Sequence, residues 1–250
     1  MTVSLGIYIF VVITISFIVK GLVGFGDPLL FNPLLSMQPS LSSKSIAPAM
    51  LPVSILLNGT IVYKNRKSIV PKTIAPIAFW DMLGVIPGTL LLKLGAPWII
   101  KVFLGLLIIG LGVEMMTRDS SKSGKPNMIL QTIMCFGSGI TAGLFGINLL
   151  FLIYLERTAK DRGEFRGSVC LVFLLENVFR AFVYTFTGVF KGDSLILPMA
   201  LIAAPSALLG MFIGLQIDKH IDETRIKKLI VYVFILGGVS TVVKALITHS

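Results

Sequence analysis

The sequence predicts an all-α polytopic membrane protein, and three observations carry that prediction. Of its 250 residues, 55% are apolar and 14% are charged, with a mean hydropathy of +0.91; a water-soluble domain carries about 25% charge. The apolar residues fall in runs of roughly 20 separated by short basic loops, the length an α-helix needs to cross a hydrocarbon core. The chain also repeats itself. Gly84, Gly88, Lys101 and Gly112 each stand 126 residues before Gly210, Gly214, Lys227 and Gly238.

Val3 to about Leu22 reads as the first span, treated as one uncharged apolar run. It starts without a basic stretch and leads to no small-residue cleavage pattern, so a retained helix is expected. The stretch 21–35, Gly-Leu-Val-Gly-Phe-Gly-Asp-Pro-Leu-Leu-Phe-Asn-Pro-Leu-Leu, then breaks the pattern. Gly24 and Gly26 loosen the backbone, Asp27 places a carboxylate at membrane depth, and Pro28 and Pro33 remove two backbone donors. Irregular backbone at that depth is tolerated only where protein or a wet cavity satisfies it. The short segment 26–37 follows, then Ser45–Tyr63, Thr73–Leu92 and Trp98–Met116, with a polar linker at 118–127.

The second half keeps the order. Met128–Gly146 runs into a short segment at 147–155, and Gly26-x-x-Leu-Leu-Phe is echoed by Gly146-x-x-Leu-Leu-Phe. Gly167–Phe190, Ser194–Ile217 and Leu229–Ile247 follow, between charged loops at 156–166 and 218–228. Each half, 1–120 and 121–250, therefore holds a Gly/Pro-interrupted helix pair plus three long helices. If each short segment reverses the chain, fifteen loop bases fall on one side (64–72, 118–125, 157–166 and 219–228) and five on the other (Lys44, Lys93, Lys101, Lys191 and Lys244). That bias is the positive-inside signature, and it makes the halves inverted repeats with both termini outside. It also accounts for the net charge of +10 without a nucleic-acid partner.

Catalytic and metal chemistry find little support. Cys135 and Cys170 lack metal or redox spacing, and His220 and His249 lie far apart. No phosphate-binding Gly-x-x-x-x-Gly-Lys-Ser/Thr loop is present. The expectation is no enzyme, no cofactor and no metal. Binding chemistry is better represented. Arg180 is a guanidinium within an apolar segment, a fork suited to oxyanions that normally faces a partner or a cavity. Glu176, one turn earlier, is placed to pair with it. Asp27 is either a carrier of a coupling proton or a cap on the short helix that starts at Pro28, and the two roles are compatible. Helix N-termini at the two breaks point N–H groups at an anion, which Gly24, Gly26, Gly143 and Gly146 let approach closely. Asn148 and Asn177 each neighbour another candidate; Asn58 reads as an interhelical hydrogen-bonding residue. Asp81 and Glu114 are lone acids. The candidate set is Arg180, Asn177, Gly24, Gly26, Gly143, Gly146 and Asn148 for substrate, and Asp27 and Glu176 for proton coupling.

Taken together, Gly21-x-x-Gly-Phe-Gly…Pro33-Leu-Leu, its echo Gly139-x-x-x-Gly-x-x-Gly146, the basic loop at 64–72, Asn177-x-x-Arg180-x-x-x-Tyr184 and Gly210-x-x-x-Gly214 resemble the sulfite exporter TauE/SafE family of membrane permeases over nearly the whole chain. Members carry a run of glycines where this chain has Gly26-Asp27-Pro28 and Gly146-Ile147-Asn148. The resemblance implies a secondary transporter in the cell membrane, of prokaryotic plasma-membrane type. Its implied substrates are small anions, often sulfur oxyanions or organosulfonates, and export is the implied direction. The alternatives are a passive anion channel or a membrane subunit of a larger complex. The expected partners are a small anionic substrate and membrane lipid; the oligomeric state is left open. The topology is directly testable: a cysteine placed at Lys67 is expected to react with a membrane-impermeant thiol reagent only from the cytoplasmic side, and labelling from outside overturns the inverted arrangement.

Overall fold

A helix in lipid turns its large apolar side chains outward and its small and polar ones inward, because lipid, unlike water, gains nothing by excluding leucine. The computed structural model of the chain, which describes residues 2–94, 102, 105–106, 109–110, 113, 128–146, 150–152, 155, 162–191, 193–220 and 223–247, has this character. In the first helix Ile7, Val11 and Ile15 are exposed while Ser16 and Lys20 are buried; in the fourth, Phe79, Ile86 and Leu90 are exposed while Asp81, Gly84 and Thr89 are buried.

The elements are α1 (Val3–Val23), α2 (Asp27–Leu35), α3 (Ser43–Asn65), α4 (Pro71–Leu94), α5 (Met128–Phe145), α6 (Arg162–Thr187), a 3-10 turn at Val189–Lys191, α7 (Ile196–Asp218) and α8 (Glu223–Ile247). No strand occurs among the described residues. Among the described residues, five helices are long and apolar enough to cross a membrane: α1, most of α3, α4, most of α6, and α7. The chain is thus a multi-pass, all-α membrane protein. The short α2 has nine residues, about 13.5 Å at 1.5 Å per residue, less than half a hydrocarbon core. The second short segment and the span expected at Trp98–Met116 lie largely outside the described residues.

Two boundaries differ from expectation. α6 begins at Arg162 and α8 at Glu223, inside stretches read as charged loops. Glu, Lys and Arg are good helix formers, and an acid in the first turn, as Glu164 is in α6, meets the favourable end of the helix dipole. The prolines within α3, α4 and α7 do not end those helices; neighbouring helices in a bundle can re-satisfy the freed carbonyls.

Glycines set how closely the helices approach, and they do so reciprocally between the halves. Gly210 and Gly214 of α7 lie on the backbone of α1 at Thr14, Ile18 and Gly21. Gly84 and Gly88 of α4 lie on the backbone of α5 at Phe136 and Ile140. The register is the same in both seams: 126 residues separate the α4 and α7 glycines, and 122 separate Thr14 from Phe136 and Ile18 from Ile140. Between these seams, α3 packs directly on α6. A side chain at a seam has nowhere to go, since a Cβ on Gly214 sits 2.8 Å from the Gly21 Cα. Gly214→Leu is therefore expected to cost at least about 1–3 kcal/mol. Gly59→Ala, in open space on α3, is expected to gain about 0.5–1 kcal/mol. Thermal unfolding of the two variants in detergent checks both signs.

Candidate functional site

Helix α6 presents one polar stripe to the interior. Arg166, Cys170, Phe173, Asn177, Arg180 and Tyr184 recur at three- and four-residue steps, so they share a face. At the far end of the stripe, Arg180 Nη1 donates to the Ala142 carbonyl at 2.7 Å and Nη2 donates to Asn177 Oδ1 at 2.6 Å. Its Nε lies 3.3 Å from Glu176 Oε1, an ion pair rather than an aligned hydrogen bond. Tyr184 donates to the Gly143 carbonyl at 3.1 Å. At the near end, Arg166 Nη2 donates to the carbonyls of Gly21 and Leu22 at 2.6 and 2.7 Å, and Nη1 pairs with Asp218 at 2.9 Å.

Both arginines meet the broken end of a half's first helix. α1 ends at Gly24 with φ 96°, its N–H donating to the Lys20 carbonyl; Gly146 after α5 has φ 69°, its N–H donating to Ala142. These positive φ values suit glycine. A Cβ on Gly24 meets Arg166 Cγ at 2.9 Å, and one on Gly146 meets Arg180 Nη1 at 3.1 Å. The two breaks thus share one design, 122 residues apart. The sequence echo pairs Gly26 with Gly146; the backbone pairs Gly24 with Gly146.

A cavity of about 20 Å³ lies where the breaks, α3 and α6 converge. It has room for about one water molecule. Lys20 and Asp27 line it from one side and Gly146, Asn177 and Arg180 from another, with Ser54 and Asn58 of α3 between them. Lys20 Nζ bonds Asp27 Oδ1 at 2.9 Å, and both side chains are almost fully buried. The ammonium also lies 5.6 Å from the Phe17 ring centroid and 5.8 Å from that of Phe173. Two cations, Lys20 and Arg180, are thus matched by two carboxylates, Asp27 and Glu176. Asp27 Oδ2 and both polar side-chain atoms of Asn58 are buried with no hydrogen-bond partner.

A scan against protein families matches residues 8–241 to the family described as sulfite exporter TauE/SafE. The chain belongs to the TauE/SafE family. No curated protein and no solved structure matches it. A transporter family implies that the protein is not an enzyme, and the family together with the apolar helices makes it a multi-pass membrane protein of transport character.

In this TauE/SafE protein the candidates read from the sequence divide. Arg180, Asn177, Gly146 and Asp27 line this cavity, and Glu176 backs it through Arg180. Gly24 makes room for Arg166 and does not line the cavity. Gly143 is a seam glycine against Val85, Gly88 and Thr89, and its carbonyl holds Tyr184. Gly26, not Asp27, occupies the N-cap of α2, with φ 94° and no side-chain cap bond. Pro28 has no N–H, and that of Leu29 goes to the Gly26 carbonyl, so this helix end offers the cavity a carboxylate more than a nest of donors. Asn148 lies outside the described residues, as does Glu114. Asp81 is buried in the α4–α5 seam, away from the cavity.

The sequence reading passes over Lys20. Its signal was present: a single Lys in the last turn of an otherwise uncharged helix, two turns before the break's only carboxylate. Arg166 was assigned to a loop and counted only as an orientation charge. A double-mutant cycle tests the α6 pair. Arg180→Gln leaves a buried carboxylate without this cation and is expected to cost about 3–5 kcal/mol of stability. Arg180→Gln with Glu176→Gln is expected to recover most of that loss in thermal unfolding.

Proposed function

We propose that this protein is a secondary transporter that exports small sulfur oxyanions such as sulfite, or organosulfonates, across the cell membrane of a prokaryote. One observation carries the reading: two buried cation–carboxylate pairs, one from each half of the chain, converge with unsatisfied polar atoms on a single cavity beside two broken helices. Ionisable groups inside a membrane protein mark substrate or ion paths. Transporter sites lie where broken helices of two repeats meet. The family description supplies the sulfur oxyanion and the direction.

The proposed architecture is two inverted repeats, 1–120 and 121–250. The reciprocal glycine seams and the matched breaks support it. The mechanism is alternating access around the cavity. In the conformation described, the space is far too small for a sulfonate, and ties stand at both ends of α7. Arg166–Asp218 closes one end; at the other, Ser45 bonds Asp193, whose second oxygen accepts the Leu195 N–H. α7 has 23 residues, about 35 Å, so these ties stand about that far apart. Substrate passes when one tie opens while the other holds. Protonation of Asp27 or Glu176 frees a cation for the anion, which couples transport to protons.

Proteoliposomes loaded with a panel of labelled small anions, with and without a pH gradient, test the reading. At least one sulfur anion is expected to leave the vesicles uphill when the inside is acidic, by about tenfold per imposed pH unit at one proton per anion. Movement that only equilibrates the anion identifies a channel. No movement of any anion overturns the transport reading, and a stoichiometric co-purifying protein then identifies a subunit of a complex.

A further inference from the structure

The two cations that line the cavity differ in how firmly they are held. Arg180 is clamped at three points: it spends two of its five N–H donors on the Ala142 carbonyl and Asn177, and its unbonded Nε stands beside the Glu176 carboxylate. An ammonium has three N–H donors, and the described residues give Lys20 one hydrogen bond, to Asp27. Apart from Arg180 Nε, the orphaned polar atoms on the cavity wall belong to Asp27 and Asn58. Asp27 Oδ2 and the Asn58 amide are unpartnered, on residues each 1% exposed, and both line the cavity with Lys20. A buried polar group left unpaired costs about 1–3 kcal/mol, which a bound ligand recovers.

Resting on the transport reading above, we infer that the anion subsite is Lys20 with Asn58, that Asp27 is the carboxylate the anion displaces, and that one proton on Asp27 accompanies one singly charged anion. Arg180 is a positioning residue that holds the second break.

Charge balance fixes the stoichiometry. With Lys20 and Arg180 cationic and Asp27 and Glu176 anionic, the empty site is neutral. Anion alone leaves it at −1, and proton alone at +1. Anion and proton together restore neutrality, with the proton taken from solvent onto Asp27 Oδ2. A net charge sealed from water is penalised by several kcal/mol, so the closed, exchanging forms are the empty and the doubly loaded ones. The groups around Asp27 agree with this assignment. α1 faces it with Lys20; α6 brings Arg180 with its Glu176, and near the break Arg166 and Cys170, whose Sγ donates to the Gly24 carbonyl at 3.4 Å. α3 brings Ser54 and Asn58, neither charged, and α8 meets α2 through Gly237 against Leu29. Arg166 has its own carboxylate in Asp218, which leaves Lys20 as the direct cation of Asp27.

The test is calorimetric titration of the detergent-purified full chain with methanesulfonate, a singly charged sulfonate that does not itself buffer. Repeating it in buffers of different ionisation heat counts protons. Wild type is expected to take up about one proton per anion bound. Asp27→Asn is expected to bind without proton uptake and, in vesicles, to lose the response to a pH gradient. Lys20→Gln with Asp27→Asn, which removes both charges together, is expected to fold and to bind more than about tenfold more weakly. Binding without linked protons, linkage that survives Asp27→Asn, or full affinity in the Lys20→Gln double variant each overturns the inference while the transport reading stands. Linked binding without vesicle flux overturns the transport reading and leaves the subsite. No binding by wild type overturns the subsite.

Discussion

The guanidinium-to-carbonyl bonds of α6 set the geometry on which the site depends. When a helix ends inside a membrane protein, its last carbonyls need donors that water cannot supply. α6 supplies them twice, from Arg166 to Gly21 and Leu22 and from Arg180 to Ala142. A buried guanidinium in turn needs a counter-charge, and each has one: Asp218 and Glu176. The arrangement explains why the breaks carry glycine. The chain must turn through positive φ beside an arginine side chain, and a Cβ at either Gly24 or Gly146 meets that arginine. The breaks are therefore held open by α6, and Asp27 enters the cavity because the chain restarts as α2 immediately after the first one.

Much of this was legible in the sequence because membrane constraints act locally. Spans follow from length and composition. The breaks follow from Gly and Pro in an apolar run, and Asn177 with Arg180 follows from helical spacing. Glu176 was expected to pair with Arg180 and does. What sequence could not give is depth and direction. Lys20 stands at a helix end, where a lysine ordinarily snorkels to the interface. Only the fold shows that the chain after it turns back with Asp27, so that the ammonium is sealed in. Arg166 reads as a loop charge until α6 is seen to start at Arg162. The echo of Gly26 in Gly146 matched side chains, whereas Gly24 and Gly146 share a backbone conformation and an arginine neighbour. Gly143 shows the limit of composition: a glycine near a break is equally a packing glycine, and here it belongs to a seam.

α3 illustrates how one helix serves both packing and the site. Ala47, Met50, Ser54 and Asn58 follow one another at three- and four-residue steps and line the cavity on one face. Pro48 and Pro52 lie within the same turns, and each deletes a ladder bond next to the cavity wall. Tyr63 is exposed on this helix, whereas Tyr184 on α6 is fully buried and bonded. The two facing helices therefore differ in chemistry: α6 carries the charges, and α3 carries an amide and a weakened backbone.

The seams constrain how such a site can open. Each glycine seam joins a helix of one half to a helix of the other, α1 to α7 and α4 to α5, with backbone on backbone. Contacts that close have no flexible side chains to absorb a slide, and packed interfaces shift between discrete arrangements rather than deforming continuously. Moving one half bodily past the other would break both seams at once. Moving the α1–α7 pair against the α4–α5 pair breaks neither. The strain of that motion falls on α3 and α6, which lie between the pairs, line the cavity and carry the internal prolines and the two arginine ties. The Lys20–Asp27 pair travels with α1 and the Gly146 break follows α5, so separating the pairs widens the space between the ammonium and the second break. Rigidity in the seams and compliance in α3 would thus direct the proposed alternating-access motion to the place where the unsatisfied polar atoms are.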